Sequence, residues 1–395
     1  MTPFTGFLSY RRRPDITEVE AVERQIRLRG VRTWRDLNDN PPAADLEAIR
    51  KAIRQDTHAF VPYVTEPYLQ HKNSGDMVWE LEVPEANKRA RSSYPVFPIF
   101  RSVAPAQLKE RCLALGLEDF SERNGTFVPL GKPRDGEVSA ERVRAAHREV
   151  GRKLLRLALM GAQHDGSMTL ALRSFEMPTF PTDAALDLDW VGALHSATPE
   201  IWDADLVPAL EDVATALASA KVQTLRLHVQ ARLPLALAFG VKCPPASGFD
   251  VKIIDRDGRE WSGRGEHSLG PLGCEERRID GDRSAAVLAI SVVRDVGRDA
   301  RALQDKVRAA RLVHARYARA DRNTDPLPVA AALACQVGDV ARRLASDGVA
   351  NLHLVLACPV PLAVLIGQQL HAVGTIYSYF SDDTRSLTRA YSIRA

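Results

Sequence analysis

The polar residues that follow the first apolar runs of the chain are of the types that grip a phosphate-bearing ligand. Ser9, Tyr10 and the arginines Arg11, Arg12 and Arg13 follow one run. Asp36 and the loop LNDNPPAAD, from Leu37 to Asp45, follow a second, and Thr65, Pro67 and Tyr68 follow a third. Hydroxyls, guanidinium groups and carboxylates converge on a ligand if each sits just past the carboxyl end of a strand in a parallel sheet. Neither G-x-G-x-x-G nor G-x-x-x-x-G-K-[ST] occurs near Gly6, so the polarity belongs to neither a dinucleotide fingerprint nor a P-loop. Further on, Trp79 stands among three glutamates, Glu80, Glu82 and Glu85. By residue type alone these are solvated helix carboxylates and a core tryptophan.

The elements that must position these residues alternate in period. Residues 6–10, 31–34, 58–64 and 94–100 read as strands, and 16–29, 46–54, 76–89 and 140–159 as helices, with a polar loop at 121–136. This is the pattern of a parallel sheet wrapped by helices. Pro178 and Pro181 with Gly166 mark 164–183 as a linker. A second α/β region then follows, with strands at 186–194, 224–230 and 248–254 and helices at 202–220 and 233–239. The cycle restarts with a strand at 285–293, helices at 300–318 and 329–346, a strand at 351–357 and a helix at 361–370. The expected organisation is a domain over 1–163, a linker over 164–183 and a domain of two similar halves over 184–395.

The chain has 395 residues, 45% of them hydrophobic and 26% charged, which suits folded domains and a length for two of them. Lys and Arg number 53 against 50 Asp and Glu. That balance argues against binding duplex nucleic acid, which needs a strongly basic face. No apolar window of about 18 residues suggests a membrane span. The N-terminus lacks the basic-then-apolar order of a signal peptide, so a cytoplasmic protein is expected. Five cysteines form no C-x-x-C pair, so neither a zinc site nor a disulfide framework is indicated.

Residues 4–100 resemble a TIR domain. The matching blocks are Phe7-Leu8-Ser9-Tyr10, the acidic loop over 36–45, the helix over 46–53, Thr65-Glu66-Pro67-Tyr68, and the run from Met77 to Ala86. The resemblance implies a flavodoxin-like parallel sheet and an NAD⁺-cleaving activity resting on one glutamate, with NAD⁺ as substrate and no cofactor or metal. Glu82 is that glutamate by its spacing to Ala86, with Glu80 and Glu85 as alternatives. NAD⁺ would be held by Ser9, Tyr10, Arg11, Trp34, Asp36, Leu37, Asp45 and Trp79. Loss of nicotinamide builds positive charge on the ribose, which a carboxylate stabilises. TIR domains that act as non-enzymatic adaptors, and TIR enzymes that release cyclic ADP-ribose, are the alternatives.

The second region resembles a SAVED domain, the cyclic-oligonucleotide sensor of CBASS anti-phage systems, built of two fused CARF-like, Rossmann-like halves. The resemblance is carried by Leu188-Asp189-Trp190, Gly192-Ala193-Leu194-His195, VKIIDRDGREW from Val251, VLAISVV from Val287 with Arg294-Asp295, LHLVLACPVPLAVLIG from Leu352, and YSYFSDD from Tyr377. It implies a messenger, cyclic tri-adenylate by preference, bound across the strand ends by His195, Ser196, Arg294, Cys358 and Pro359. Trp202 or Tyr379 would stack on a base and Lys242 would lie near a phosphate. The two resemblances together imply an effector in which messenger binding drives self-association into a filament and completes the TIR site for NAD⁺ hydrolysis.

Overall fold

Apolar runs too short for helices become the strands of three sheets in the computed structural model. It describes all residues except 1–3, 36–44, 71–76, 91–93, 102, 116, 120–125, 129–139, 163–164, 176–183, 196–197, 264–271, 318–328 and 382–386. The chain divides into two units, Met1–Gln163 with Ala185–Asp187, and His164–Ala184 with Leu188–Ala395.

In the first unit β1 (Thr5–Ser9), β2 (Arg32–Trp34), β3 (Ala59–Val64), β4 (Ile99–Arg101) and β5 (Thr126–Val128) form a parallel sheet in the order β2-β1-β3-β4-β5. This is the flavodoxin-like order, with β1 and β3 adjacent at the point where the winding reverses. β3 is buried along its whole length, as a central parallel strand covered on both faces must be. The strand expected over 94–100 shrinks to Ile99–Arg101 and one bridge between Phe60 and Val96. Pro95 and Pro98 have no N–H to give to a ladder, which is why pairing breaks there. β5 lies inside the expected polar loop, and a helix at Pro105–Ala114 was not foreseen.

The second unit holds two sheets. β6 (Ser167–Arg173), β7 (Leu186–Asp189), β8 (Thr224–Gln230), β9 (Asp250–Ile254) and β10 (Glu260–Ser262) lie in the order β10-β9-β8-β6-β7. β11 (Gly273–Arg278), β12 (Asp282–Ser291), β13 (Ala309–Arg316), β14 (Asn351–Ala357), β15 (Thr375–Ser381) and β16 (Leu387–Arg394) lie in the order β11-β13-β12-β14-β15-β16. Three expectations are corrected here. The supposed linker over 164–183 contains β6, whose alternating Met168, Leu170 and Leu172 are buried beside β8. The expected strand over 186–194 ends at Asp189, whose carboxylate accepts the N–H of Val191 and starts a short helix, Val191–His195. The expected helix over 300–318 is the helix Gly297–Val307 and then β13, separated by Arg308 in the left-handed region at φ 54°.

The expectation of two similar halves takes a concrete form. Residues 213–240 align without a gap on 340–367. Val213, Leu217, Ser219, Leu225, Leu227, Pro234, Ala236 and Gly240 are matched by Val340, Leu344, Ser346, Leu352, Leu354, Pro361, Ala363 and Gly367. The backbone repeats as well, since Lys221 at φ 58° stands where Gly348 stands at φ 93°. In each half a helix leads into a central strand, β8 or β14, and then into a second helix, Leu233–Lys242 or Val360–Gln369. Those second helices cross at Gly240 and Gly367. A Cβ on Gly240 would lie 2.1 Å from the Val364 carbonyl oxygen, and one on Gly367 would lie 2.3 Å from that of Leu237. Among the described residues no helix is long and apolar enough to cross a membrane.

Candidate functional site

In the first unit the carboxyl ends of β1 and β3 bring three side chains into one hydrogen-bonded chain. Ser9 ends β1 and donates from Oγ to Glu82 Oε2 at 2.6 Å, while the Tyr68 hydroxyl lies 3.0 Å from the same Oγ. A serine hydroxyl has one proton, and Glu82 receives it, so Tyr68 must donate to Ser9. All three side chains are buried, with Glu82 7% exposed. Burial also pushes the Tyr68 hydroxyl well above its usual range and keeps it protonated. The arrangement pins Oε2 of Glu82 at the end of β1.

Local structure fixes each member. Tyr68 sits on the short helix Glu66–Leu69, which Thr65 caps by accepting the Tyr68 N–H. The Thr65 hydroxyl donates in turn to the buried Asp15 at 2.7 Å. Desolvation holds the Asp15 carboxyl above the usual carboxylate range, against the lowering effect of Thr65. Glu82 closes a wide, π-type turn, Val78–Glu82, that runs into the helix Val83–Ala90. Such turns admit one extra residue per turn and often carry functional groups. They rotate Glu82 inward while leaving Glu80 exposed. Glu85 is buried but already engaged, with Arg54 bidentate at 2.8 and 2.9 Å and Lys88 at 3.2 Å.

Among the described residues, the other expected NAD⁺ contacts are not brought together with Ser9 and Glu82. Trp79 is corrected to a core residue: it is buried, donates from Nε1 to the Tyr68 carbonyl and has the Arg111 guanidinium over its ring. Trp34 stacks on Phe7 with centroids 4.6 Å apart, and Tyr10 is buried. Arg11 spends its guanidinium on the carbonyls of Pro67 and Gln70 and staples the β1 and β3 loops. Asp36 and Leu37 lie outside the described residues, as does the side chain of Asp45, which opens the helix Asp45–Lys51. Asp15 was missed by sequence reasoning, and Tyr68, named among the polar residues after the third run, was given no role in the site. Tyr68 belonged to a quoted block, but only the fold shows that its hydroxyl reaches Ser9.

In the second unit the strand ends of the two halves enclose a two-lobed cavity. One lobe, of about 450 Å³, is lined by Val229, Gln230 and Ala231 from the end of β8 and by Pro359, Val360 and Pro361 from the start of the other half's helix. The second, of about 540 Å³, is lined by Leu356, Ala357 and Cys358 from the end of β14 and by Arg232, Leu233 and Pro234. These are the same positions exchanged between the repeats. Phe175 and Val293, just past the equivalent strands β6 and β12, line both lobes and are 44% and 64% exposed. Both leave an apolar face open to whatever occupies the lobes.

Each lobe also receives a helix start, that of Leu233–Lys242 or of Val360–Gln369, and neither start is capped by a side chain. The partial positive charge of uncapped helix starts favours phosphate. The remaining walls differ. The smaller lobe has Asp255, Arg256, Asp257, Arg259 and Trp261, and the larger has Arg294, Tyr379, Phe380 and Leu387. Tyr379 is held by His353 Nδ1 at 2.7 Å, and burial pushes its hydroxyl up to about 12. His353 stacks on Tyr377 and is pushed down to about 4 by burial, so the ring is neutral.

Of the expected messenger contacts, Arg294, Cys358, Pro359 and Tyr379 line this cavity. Cys358 is a buried thiol raised to about 12 and stays protonated. Trp202 and Lys242 are corrected: Trp202 packs in the core between Trp190 and Tyr391, and Lys242 pairs with Glu211 at 2.6 Å. Both were chosen by residue type, which does not say which face of a helix meets the cavity. The side chain of His195, and Ser196 altogether, lie outside the described residues. Phe175, Arg232, Val293 and Gln230 were not foreseen. Among the described residues no group of three or more His, Cys, Asp or Glu side chains is placed to hold a metal ion.

Residues 209–392, which supply most of both lobes, match the family described as the SMODS-associated and fused to various effectors sensor domain, SAVED. The second unit carries a SAVED domain. Its likeness to solved structures is one of fold. The Acinetobacter baumannii Cap4 SAVED/CARF-domain containing receptor with the cyclic trinucleotide 2'3'3'-cAAA is 12% identical, with a TM-score of 0.50 over 91% of this chain and 87% of that one. The same receptor with 3'3'3'-cAAA gives 0.49 at 12% identity over the same shares. The Moraxella osloensis Cap4 receptor gives 0.44 at 12% identity, over 90% of this chain and 86% of that one. Among curated proteins no sequence matches the chain. The SAVED match begins at 209, so β6, β7 and Phe175 join the unit through the fold alone.

Proposed function

We propose that the chain is an anti-phage effector in which a cyclic oligonucleotide bound by the SAVED domain switches on cleavage of NAD⁺ to nicotinamide and ADP-ribose by a TIR-like first unit. The observation that carries the sensing half is the exchange of strand ends and helix starts between the repeats. It makes two adjoining lobes with a phosphate-favouring helix start in each, suited to a ring of nucleotides lying across both. Cyclic trinucleotides in the Cap4 receptors support the choice of ligand.

The Tyr68–Ser9–Glu82 chain supports the enzymatic half. A carboxylate oxygen accepts the Ser9 hydroxyl more strongly than a neutral carboxyl does, so the hydrogen-bond chain favours the charged form that an oxocarbenium-like ribose needs. Nicotinamide departs as a neutral group and requires no general acid. Water then adds to the ribose and loses a proton to give ADP-ribose. Because Tyr10 and Trp79 are packed in the core, the reading assigns the missing contacts to a neighbouring copy brought up by messenger-driven self-association. The test is nicotinamide release by the full chain with and without cyclic tri-adenylate. Release only with the messenger, lost in Glu82→Gln, supports the reading. Absence of release under any cyclic oligonucleotide makes the first unit an adaptor, and cyclic ADP-ribose as product makes it a signal-producing enzyme.

A further inference from the structure

Gln230, the last residue of β8, lines the smaller lobe, and its side-chain oxygen is buried with no hydrogen-bond partner. Buried polar atoms are almost always bonded, so an unmatched one in a ligand lobe marks where a ligand's donor belongs. Its equivalent in the other lobe is Ala357, which has no polar side chain to offer. The lobes thus share their frame, and at this strand-end position only the smaller one offers an amide. Asp255 does not compete for the role, because its carboxylate already accepts from the N–H groups of Asp257 and Arg259, from Arg259 Nε and from Trp261 Nε1.

We propose that Gln230 is a specificity-determining residue that reads one adenine of the cyclic oligonucleotide. This inference rests on the sensing half of the proposed function. An amide presents a carbonyl acceptor beside an N–H donor, and the 6-amino group and N7 of adenine present a donor beside an acceptor, so the two edges pair at both points. A 6-carbonyl beside N7, as in hypoxanthine, presents two acceptors and leaves the Gln230 oxygen unmatched again. The two lobes therefore differ in stringency: the smaller selects its base, and the larger, with Tyr379 and Phe380, takes a base by its faces.

The experiment is calorimetric titration of the full chain with two rings of equal size, cyclic tri-adenylate and its hypoxanthine counterpart. The wild type is expected to prefer adenine by about 5- to 150-fold, the discrimination usual for one bidentate pair. Gln230→Leu is expected to bind both rings alike, at the weaker affinity. Gln230→Glu, of equal size, keeps an acceptor but turns charge on N7, and is expected to bind cyclic tri-adenylate more weakly than the wild type does. Non-additive losses from removing the amide and the amine report a direct pairing, which a merely structural role for Gln230 would not produce. Equal binding of the two rings by the wild type, or discrimination surviving in Gln230→Leu, would overturn the assignment and leave the sensing reading standing. If neither ring binds the wild type, the sensing reading fails first and the assignment falls with it.

Discussion

Replacing Gly240 by alanine tests the packing on which the two-lobed cavity depends. The added Cβ would stand 2.1 Å from the Val364 carbonyl oxygen, 3.0 Å from the Gln368 nitrogen and 3.0 Å from the Gly367 Cα. All three are backbone atoms and cannot rotate aside, so the helices must part by about an ångström to reach ordinary contact. Overpacking costs about 1–3 kcal/mol, at about 2–3 kcal/mol where the atoms struck are backbone and the clash is as close as 2.1 Å, and alanine returns about 1 kcal/mol of helix propensity. A net loss of about 1–2 kcal/mol is expected, with a fall of about 2–4 °C per kcal/mol in the melting of a unit this size. Gly192 is the control, since a Cβ there meets nothing within 4 Å and Gly192→Ala should be neutral or stabilising. Scanning calorimetry of the full chain gives both values. If Gly240→Ala melts with the wild type or above it, the close crossing is not what holds the two halves together.

Four further outcomes follow from the sites. Glu82→Gln should abolish messenger-stimulated nicotinamide release, whereas Glu85→Ala, losing its ion pairs to the half-exposed Arg54 and the exposed Lys88, should retain it with under about 1 kcal/mol of destabilisation in denaturant titration. Tyr68→Phe deletes the donor to Ser9 while keeping the ring, so the rate should fall with the fold intact by circular dichroism; a rate equal to wild type removes Tyr68 from the chain. His353, in the second unit, and His147, in the first, are both pushed by burial from 6.5 to about 4. The fold prefers each ring neutral, so stability is full above about 6.5 and is lost as pH falls toward 4, by about 3 kcal/mol per histidine. His353→Gln should flatten that acid limb in urea titrations at successive pH values, and a slope unchanged from wild type would place the titration elsewhere.

The strand–helix alternation of the first unit was legible because parallel strands buried on both faces read as short apolar runs, as Ala59–Val64 does, whereas the flavodoxin-like order of its sheet was implied only by the resemblance to TIR domains. β8 and β14 were likewise bounded correctly, having apolar residues at alternate positions and turn residues after them. The alanine-rich stretch before and within β13 was not, because alanine packs as well in helices as in buried strands. Pro95 and Pro98 broke an apolar run that hydrophobicity alone would keep whole. In the candidate sites, Ser9 and Glu82 could be nominated from ordered blocks, but Tyr68, Asp15, Gln230 and Phe175 needed the fold. Their roles come from which residues the sheets place opposite one another, and no local spacing encodes that. Trp79 and Trp202 failed for the reverse reason: a tryptophan's type suits stacking and core packing equally, and only burial separates the two.

The crossed repeats have a consequence for how recognition can change over time. Each lobe takes its strand end from one half and its helix start from the other, so neither half by itself owns a lobe. Two identical chains pairing the same way would be bound to keep both lobes alike, since any substitution would appear twice. Joined in one chain, the copies are released from that constraint, and a glutamine at 230 can face a different partner from the alanine at 357. Tandem fusion converts a symmetric receptor into one able to tell the parts of a ring apart, and a change of signal then needs only one lobe to be rewritten.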